Sequence, residues 1–152
     1  MTDVLAPVTG LVRPLAEVPD PVFAAEMVGA GVAIEPSGGR ADAVSPVAGT
    51  LLKLHPHAFV VLTPEGAGVL VHLGIDTVRL DGEGFELLVA ERDTVAAGQP
   101  VTRWDPAEVA ARDLSPMVAV CVLDSRPGAV VSARTGETVD VGTPLFRWPT
   151  TS

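Results

Sequence analysis

The chain has 152 residues, 47% of them apolar, which excludes intrinsic disorder and predicts one domain, residues 1–152, with its own core. Its formal net charge of -9 argues against binding to the phosphates of nucleic acids. No apolar stretch approaches the roughly 20 residues that cross a bilayer, and the amino terminus lacks the features of a signal peptide. We therefore predict a cytoplasmic protein with no integral membrane segment.

Most predicted elements are short strands. The 15 glycines and 14 prolines separate stretches rich in Val, Leu and Thr, a pattern typical of β structure. Two short helices interrupt it. The first begins at the N-cap Asp20 with Pro21 in its first turn and stops at Gly29, and Asp105 and Pro106 begin the second in the same way.

Two internal repeats indicate pseudo-symmetry. TVAAGQPVTRW (94–104) is repeated as TVDVGTPLFRW (138–148), and PVTG (7–10) is repeated as PVAG (46–49). Two copies within one domain predict two similar hairpin units about an approximate twofold axis. The predicted fold class is all-β, an antiparallel β-sandwich or barrel with two or three short helices.

The three histidines of the chain, His55, His57 and His72, all lie beside one predicted hairpin. HAFVVL (57–62) and GVLVHLG (68–74) have the composition of strands, and the segment TPEGAG between them contains a proline and two glycines, which suit a turn. We therefore predict two neighbouring antiparallel strands that bring His57 and His72 together.

The register of this hairpin determines which side chains share a face. If the turn centres on residues 65–66, Phe59 lies opposite His72 and His57 lies opposite Gly74, so all four occupy one exposed face. The two imidazoles are then diagonal neighbours. The core face would carry the apolar residues Ala58, Val60, Leu62, Val69, Val71 and Leu73.

A metal centre is one chemistry that three histidines can support. Gly49, His55 and His57 fit the first half of a cupin motif, with His72 as a further ligand. The Glu that follows in that motif is replaced by aliphatic residues, and the Asn of the second cupin motif is impossible in a chain without asparagine. A cupin-like three-histidine enzyme or binding protein remains an alternative.

Phosphoryl carriage is a second chemistry. A neutral imidazole is a competent nucleophile near pH 7, and a second imidazole beside it can donate a hydrogen bond to the transferred group. Two adjacent imidazoles also resist simultaneous protonation, which keeps the nucleophile free. The remaining interpretation is a pair of surface histidines without a role, and the residues alone leave all three open.

Several motifs resemble the glucose-type enzyme IIA of the bacterial sugar phosphotransferase system. They are LVHLGIDTV (70–78), GEGF (82–85), HAF (57–59), VPDPVFAAEMVGAGVAI (18–34) and PVAGT (46–50), and the resemblance extends from about Ala6 to Trp148. It implies an antiparallel β-sandwich and a phosphotransferase component that acts through a phosphohistidine, with no resident metal or cofactor.

The resemblance also implies roles for particular residues. His72 would accept the phosphoryl group through Nε2 from the phosphocarrier HPr, and His57 would hydrogen-bond that group and assist its transfer to the IIB domain of a glucose or N-acetylglucosamine permease. Asp20 and Asp76 would pair with arginines on the partners. The implied apolar docking face consists of Val22, Phe23, Met27, Val28, Phe59, Leu70 and Val78.

The resemblance leaves some partners and residues of this chain without an assigned role. Regulatory targets are a further class of partner in the family, and sugar specificity resides in the membrane and IIB components. No role is assigned to His55. The repeated PVxG segments also resemble biotinyl and lipoyl carrier domains, but the only lysine, Lys53, lacks the flanking residues that their modified lysine requires.

Overall fold

The computed structural model describes residues 1–149, so the last three residues of the predicted domain lie outside it. Every strand pair in this range is antiparallel. The strands are β1 (Thr2–Leu5), β2 (Gly10–Pro14), β3 (Gly29–Pro36), β4 (Ala41–Val44), β5 (Gly49–His55), β6 (Ala58–Leu62), β7 (Gly68–Leu73), β8 (Glu86–Leu87), β9 (Thr94–Val95), β10 (Pro100–Trp104), β11 (Val118–Leu123), β12 (Thr138–Val139) and β13 (Pro144–Trp148).

One large sheet and two small ones build the fold. The large sheet has eight strands in the order β12-β2-β3-β11-β7-β6-β5-β9, and the small sheets are β4-β10-β8 and β1-β13. The inner face of the large sheet and both small sheets contribute to a single buried cluster, which includes Val4, Val71, Val101, Trp104 and Phe146. The predicted all-β antiparallel fold is confirmed.

The strand order reflects the repeats in the sequence. The segments 94–104 and 138–148 each form a short strand at one edge of the large sheet, β9 and β12, followed by a longer strand in a small sheet, β10 and β13. The strands β2 and β5, which begin at the Gly of PVTG and of PVAG, pair with β12 and β9. The two halves therefore meet at the central pair, β7 and β11, as the predicted pseudo-twofold axis requires.

Two helices follow the capping pattern read from the sequence, α1 (Pro21–Ala24) and α2 (Pro106–Ala111). The carboxylates of Asp20 and Asp105 each accept a 2.9 Å hydrogen bond from a backbone N–H in the first turn. The first helix ends at Ala24, several residues before the predicted stop at Gly29. Two 3₁₀ turns complete the helical structure, Leu15–Glu17 and Thr77–Leu80.

A second buried cluster lies on the opposite side of the large sheet. We call this side the outer face, and it carries the side chains of Ala58, Leu70, His72, Ala119 and Cys121. The 3₁₀ turn at Leu15–Glu17 and helix α1 cover part of this face with the residues Leu15, Val18 and Phe23. Burial raises the pKa of the Cys121 thiol to about 12, so this cysteine is an inert core residue. No helix among residues 1–149 is long and apolar enough to cross a membrane.

Candidate functional site

The predicted register of the β6–β7 hairpin is wrong by one residue. Ala58, not Phe59, lies opposite His72, and Phe59 pairs with Val71. The loop between the strands has five residues, Thr63–Ala67, because Thr63 closes it with hydrogen bonds to both backbone groups of Ala67. The hairpin is therefore centred on Glu65 and not between Glu65 and Gly66. As a result, β6 presents to the core the face that was predicted to be exposed.

Phe59 is the residue that this shift relocates. It is 1% exposed and packs in the main core, so it cannot contribute to an exposed docking face. The predicted core face is right for β7, where Val69, Val71 and Leu73 are buried against the core, and wrong for β6, where Phe59 and Val61 take the core positions. Ala58, Val60 and Leu62 lie on the outer face instead.

His57 and His72 nevertheless come together, as predicted. His57 belongs to the turn before β6, so strand alternation does not determine the direction of its side chain. Its backbone carbonyl accepts a 2.7 Å hydrogen bond from the N–H of Leu73, which fixes the turn beside the end of β7. The ring centroids of His57 and His72 are 5.2 Å apart in an edge-to-face arrangement.

The orientation of His72 is set by the backbone that follows it. Nδ1 lies 2.6 Å from the carbonyl oxygen of Gly74, and since a carbonyl can only accept, Nδ1 donates. In the neutral ring the lone pair is then on Nε2, the atom available as a nucleophile. Gly74 has φ +77°, and a Cβ there would lie 2.5 Å from Cγ2 of Thr77, so the position requires glycine.

The electrostatics of the pair favour neutral rings at pH 7. Burial lowers the pKa of His72, although the hydrogen bond to Gly74 and the charges of Asp20 and Asp76 act in the opposite direction. Burial, followed by the charges of His72 and His55, lowers the pKa of His57 from 6.5 to about 4. Both rings can therefore act as neutral groups, one as a nucleophile and one as a hydrogen-bond donor.

Phe23 packs against the other side of His72, with ring centroids 5.2 Å apart and an edge-to-face geometry. It is 8% exposed and belongs to the outer-face cluster, so it supports the imidazole more than it offers an exposed contact. Val28 and Leu70 are partly buried against the same cluster. The helix α1, capped by Asp20, thus brings an apolar side chain against the ring of His72.

The remaining residues of the predicted docking face are exposed. Met27 is 73% exposed, Val78 is 61% exposed and Val22 is 44% exposed. Asp76 is also exposed and its carboxylate does not cap the 3₁₀ turn that follows it, whereas one carboxylate oxygen of Asp20 accepts from the N–H of Val22. The structure therefore gathers apolar side chains and two carboxylates around the histidine pair.

Sequence reasoning missed two parts of the site. It placed Gly74 opposite His57 and did not assign the Gly74 carbonyl as the partner of Nδ1 of His72. It also missed Thr77, which is buried and donates a 2.7 Å hydrogen bond from Oγ1 to the carbonyl of Leu73, holding the turn beyond β7. The string GIDT was the available signal, since glycine and aspartate after a strand are typical of a turn with positive φ.

The model of the family described as phosphoenolpyruvate-dependent sugar phosphotransferase system, EIIA 1, matches residues 2–127. Since this match covers most of the chain, the chain belongs to that family, and so to the phosphotransferase components of a sugar phosphotransferase system. The family predicted from the sequence is confirmed.

Curated relatives agree with this assignment. The glucose-specific EIIA component of Oceanobacillus iheyensis is 42% identical over 76% of this chain and 72% of its own length. The N-acetylglucosamine-specific EIICBA component of Escherichia coli K12 is 40% identical over 96% of this chain. The chain spans only 23% of the length of that multidomain relative, and 18% and 15% of two others.

Among solved structures, the glucose permease IIA from Mycoplasma capricolum superposes with a TM-score of 0.84 at 34% identity, covering 95% of this chain and 93% of its own. This agreement confirms the β-sandwich of the family. None of these matches supports the cupin alternative. Within residues 1–149, no group of three His, Cys, Asp or Glu side chains is arranged to hold a metal ion.

Proposed function

We propose that this chain is a phosphocarrier that receives a phosphoryl group on Nε2 of His72 and passes it on with the help of His57. One observation carries the proposal: the Gly74 carbonyl holds Nδ1 of His72 as a donor, while a second imidazole lies 5.2 Å away, centroid to centroid. The proposed donor is the phosphohistidine of HPr, and the proposed acceptor is a IIB domain.

The transfer balances as a substitution at phosphorus. The lone pair on Nε2 of His72 forms a new N–P bond, the N–P bond of the donor histidine breaks, and its electron pair returns to the donor ring. Because His72 keeps its proton on Nδ1, its ring becomes positively charged. The Gly74 carbonyl and the carboxylates of Asp20 and Asp76 would offset this charge, since the same groups favour the protonated ring of His72 and raise its pKa against the effect of burial.

His57 is suited to contact the transferred group. Since its pKa is about 4, the ring is neutral at pH 7 and can donate one N–H to a phosphoryl oxygen without placing a permanent positive charge beside the phosphate. A permanent charge would hold the phosphate in the ground state, whereas a neutral donor leaves it transferable. This is why we assign His57 to assistance and His72 to acceptance.

Docking of the partners would use the exposed apolar residues Val22, Met27 and Val78 together with Asp20 and Asp76. The apolar side chains exclude water around the phosphoryl group, and the carboxylates attract a basic partner surface. The net charge of -9 acts in the same direction over longer range.

The names of the relatives guide the remaining assignments. Most of these relatives are named as glucose-specific or N-acetylglucosamine-specific components, one is named as mannose-specific and one as glucoside-specific. We therefore propose a glucose or N-acetylglucosamine permease as the system served, and the cytoplasm as the compartment where this chain meets its partners. Regulatory targets are a further proposed class of partner.

Incubation with HPr, its kinase and phosphoenolpyruvate, followed by tandem mass spectrometry, tests the proposal. We expect phosphate on His72 and none on a His72→Gln variant. A His57→Gln variant, which loses one imidazole from the same pair, should accept phosphate and donate it poorly to IIB. Label that survives His72→Gln would refute the assignment of the nucleophile, and normal donation by His57→Gln would refute the role of the helper.

A further inference from the structure

Four aromatic rings form a row through the site. His55 stacks on His57 with ring centroids 5.9 Å apart and an interplanar angle of 29°, His57 meets His72 at 5.2 Å, and His72 meets Phe23 at 5.2 Å. Within residues 1–149, the ring of His57 makes no hydrogen bond to the protein, whereas His72 is held by Gly74. The orientation of His57 therefore depends on its ring neighbours.

The backbone places the row on the outer face. The strands β5 and β6 are joined by the two residues Pro56 and His57, so that His55 pairs with Ala58, and on the other side Ala58 pairs with His72. His55, Ala58 and His72 thus lie in one line across three strands, all on the outer face. The ring of His57 contacts the rings of both other histidines, His55 on one strand and His72 on the other.

The turn that carries His57 is held firmly. Proline fixes φ at Pro56, and its ring packs against Gly82, where an added Cβ would lie 3.2 Å from Cγ of Pro56. The carbonyl of His57 accepts from the N–H of Leu73 at 2.7 Å. With the backbone fixed at both points, only the side-chain torsions of His57 stay free, and a stacked ring restricts them.

We propose that His55 is a positioning residue for phosphoryl transfer: its imidazole stacks on His57 and keeps that ring in its edge-to-face contact with His72. The proposal rests on the function proposed above. A ring already oriented when the phosphoryl group arrives loses little rotational freedom on binding it, which speeds transfer. The charge of His55 also contributes, after burial and His72, to the low pKa of His57.

Variants at His55 separate stacking from the other properties of histidine. His55→Phe retains an aromatic ring and removes the ring nitrogens, and His55→Ala removes the ring. We expect His55→Ala to slow donation of the phosphoryl group to IIB by about tenfold, a modest effect for a misplaced catalytic group. His55→Phe should restore donation to within about twofold of the parent rate, and His72 should accept phosphate normally in both variants.

Proton NMR of the unphosphorylated protein gives a readout that does not depend on any partner. The ring protons of His57 should shift in His55→Ala and remain near their parent positions in His55→Phe and in the control Lys53→Gln, an exposed residue of the same strand. Donation by His55→Ala at the parent rate, or a His55→Phe variant no faster than His55→Ala, would overturn the proposal.

The outcome also separates this inference from the proposed function. If His57→Gln is impaired in donation and His55→Ala is not, only the role of His55 fails. If His57→Gln donates normally, the helper role fails first, whatever the NMR spectra show.

Discussion

Nδ1 of His72 donates a 2.6 Å hydrogen bond to the carbonyl oxygen of Gly74, two residues further along the chain. We expect the neutral ring of His72 to carry its proton on Nδ1, although free histidine prefers the other tautomer. Long-range ¹H–¹⁵N correlation spectra at pH 8 should show this pattern for His72. A ring protonated on Nε2 would contradict the geometry and would leave no lone pair there for attack.

Gly74→Ala should weaken the fold. A side chain at φ +77° is strained, and its Cβ would approach Cγ2 of Thr77 to 2.5 Å. We expect the free energy of unfolding to fall by about 2–4 kcal/mol, measured by urea denaturation. Gly98→Ala is the matched control, since Gly98 has φ +85° with no atom within 4 Å of the added Cβ, and should lose about 1 kcal/mol. Equal losses would mean that the contact with Thr77 is unimportant.

His57 should titrate with a midpoint near pH 4 in NMR spectra, because burial and the neighbouring histidines lower its pKa from 6.5 to about 4. The native state then binds this proton less readily than the unfolded state. The contribution of His57 to the free energy of unfolding is constant above about pH 6.5 and declines as the pH falls from there toward 4.

The variant His57→Gln isolates that contribution. Its free energy of unfolding should decline less steeply between pH 6.5 and 4 than that of the parent, since the carboxylates that also titrate in this range are common to both. Equal slopes, or an NMR midpoint near 6.5, would show that His57 is more hydrated than the structure indicates.

Truncation of Phe59 should destabilise the fold, whereas truncation of Met27 should leave its stability nearly unchanged. Phe59→Ala removes a ring that is 1% exposed from the core, and we expect the free energy of unfolding to fall by about 3–5 kcal/mol. Met27→Ala removes a side chain that is 73% exposed and should change it by less than about 0.5 kcal/mol. Denaturation by urea measures both.

Truncation of Met27 should instead weaken the docking of phosphorylated HPr, which a phosphoryl-transfer assay measures. We expect Met27→Ala to raise the KM for phosphorylated HPr by about tenfold, equivalent to ~1.4 kcal/mol of lost docking energy. Val131→Ala is the control, since Val131 is 86% exposed, lies beside Leu145 and Phe146 of β13 and is not among the proposed docking residues. An unchanged KM for Met27→Ala would remove it from the docking face.

The fold class, the helix caps and the pair of histidines could all be predicted from the order of the residues. Capping at Asp20 and Asp105 depends on residues within one turn, and the repeats reveal the pseudo-symmetry because equivalent strands have equivalent packing. The motif around His72 predicted the family. These signals are local or repeated, so they can be read without coordinates.

The register of β6 and β7, and with it the position of Phe59, became known only from the three-dimensional structure. The composition of the segment cannot distinguish a hairpin loop of five residues from one of six. This difference of one residue nevertheless exchanges the two faces of a strand. The histidines still met because His57 lies in a turn, where alternation does not apply. The hydrogen bond from His72 to Gly74 and the stacking of His55 on His57 likewise depend on backbone torsions and on contacts across strands, which the order of residues does not specify.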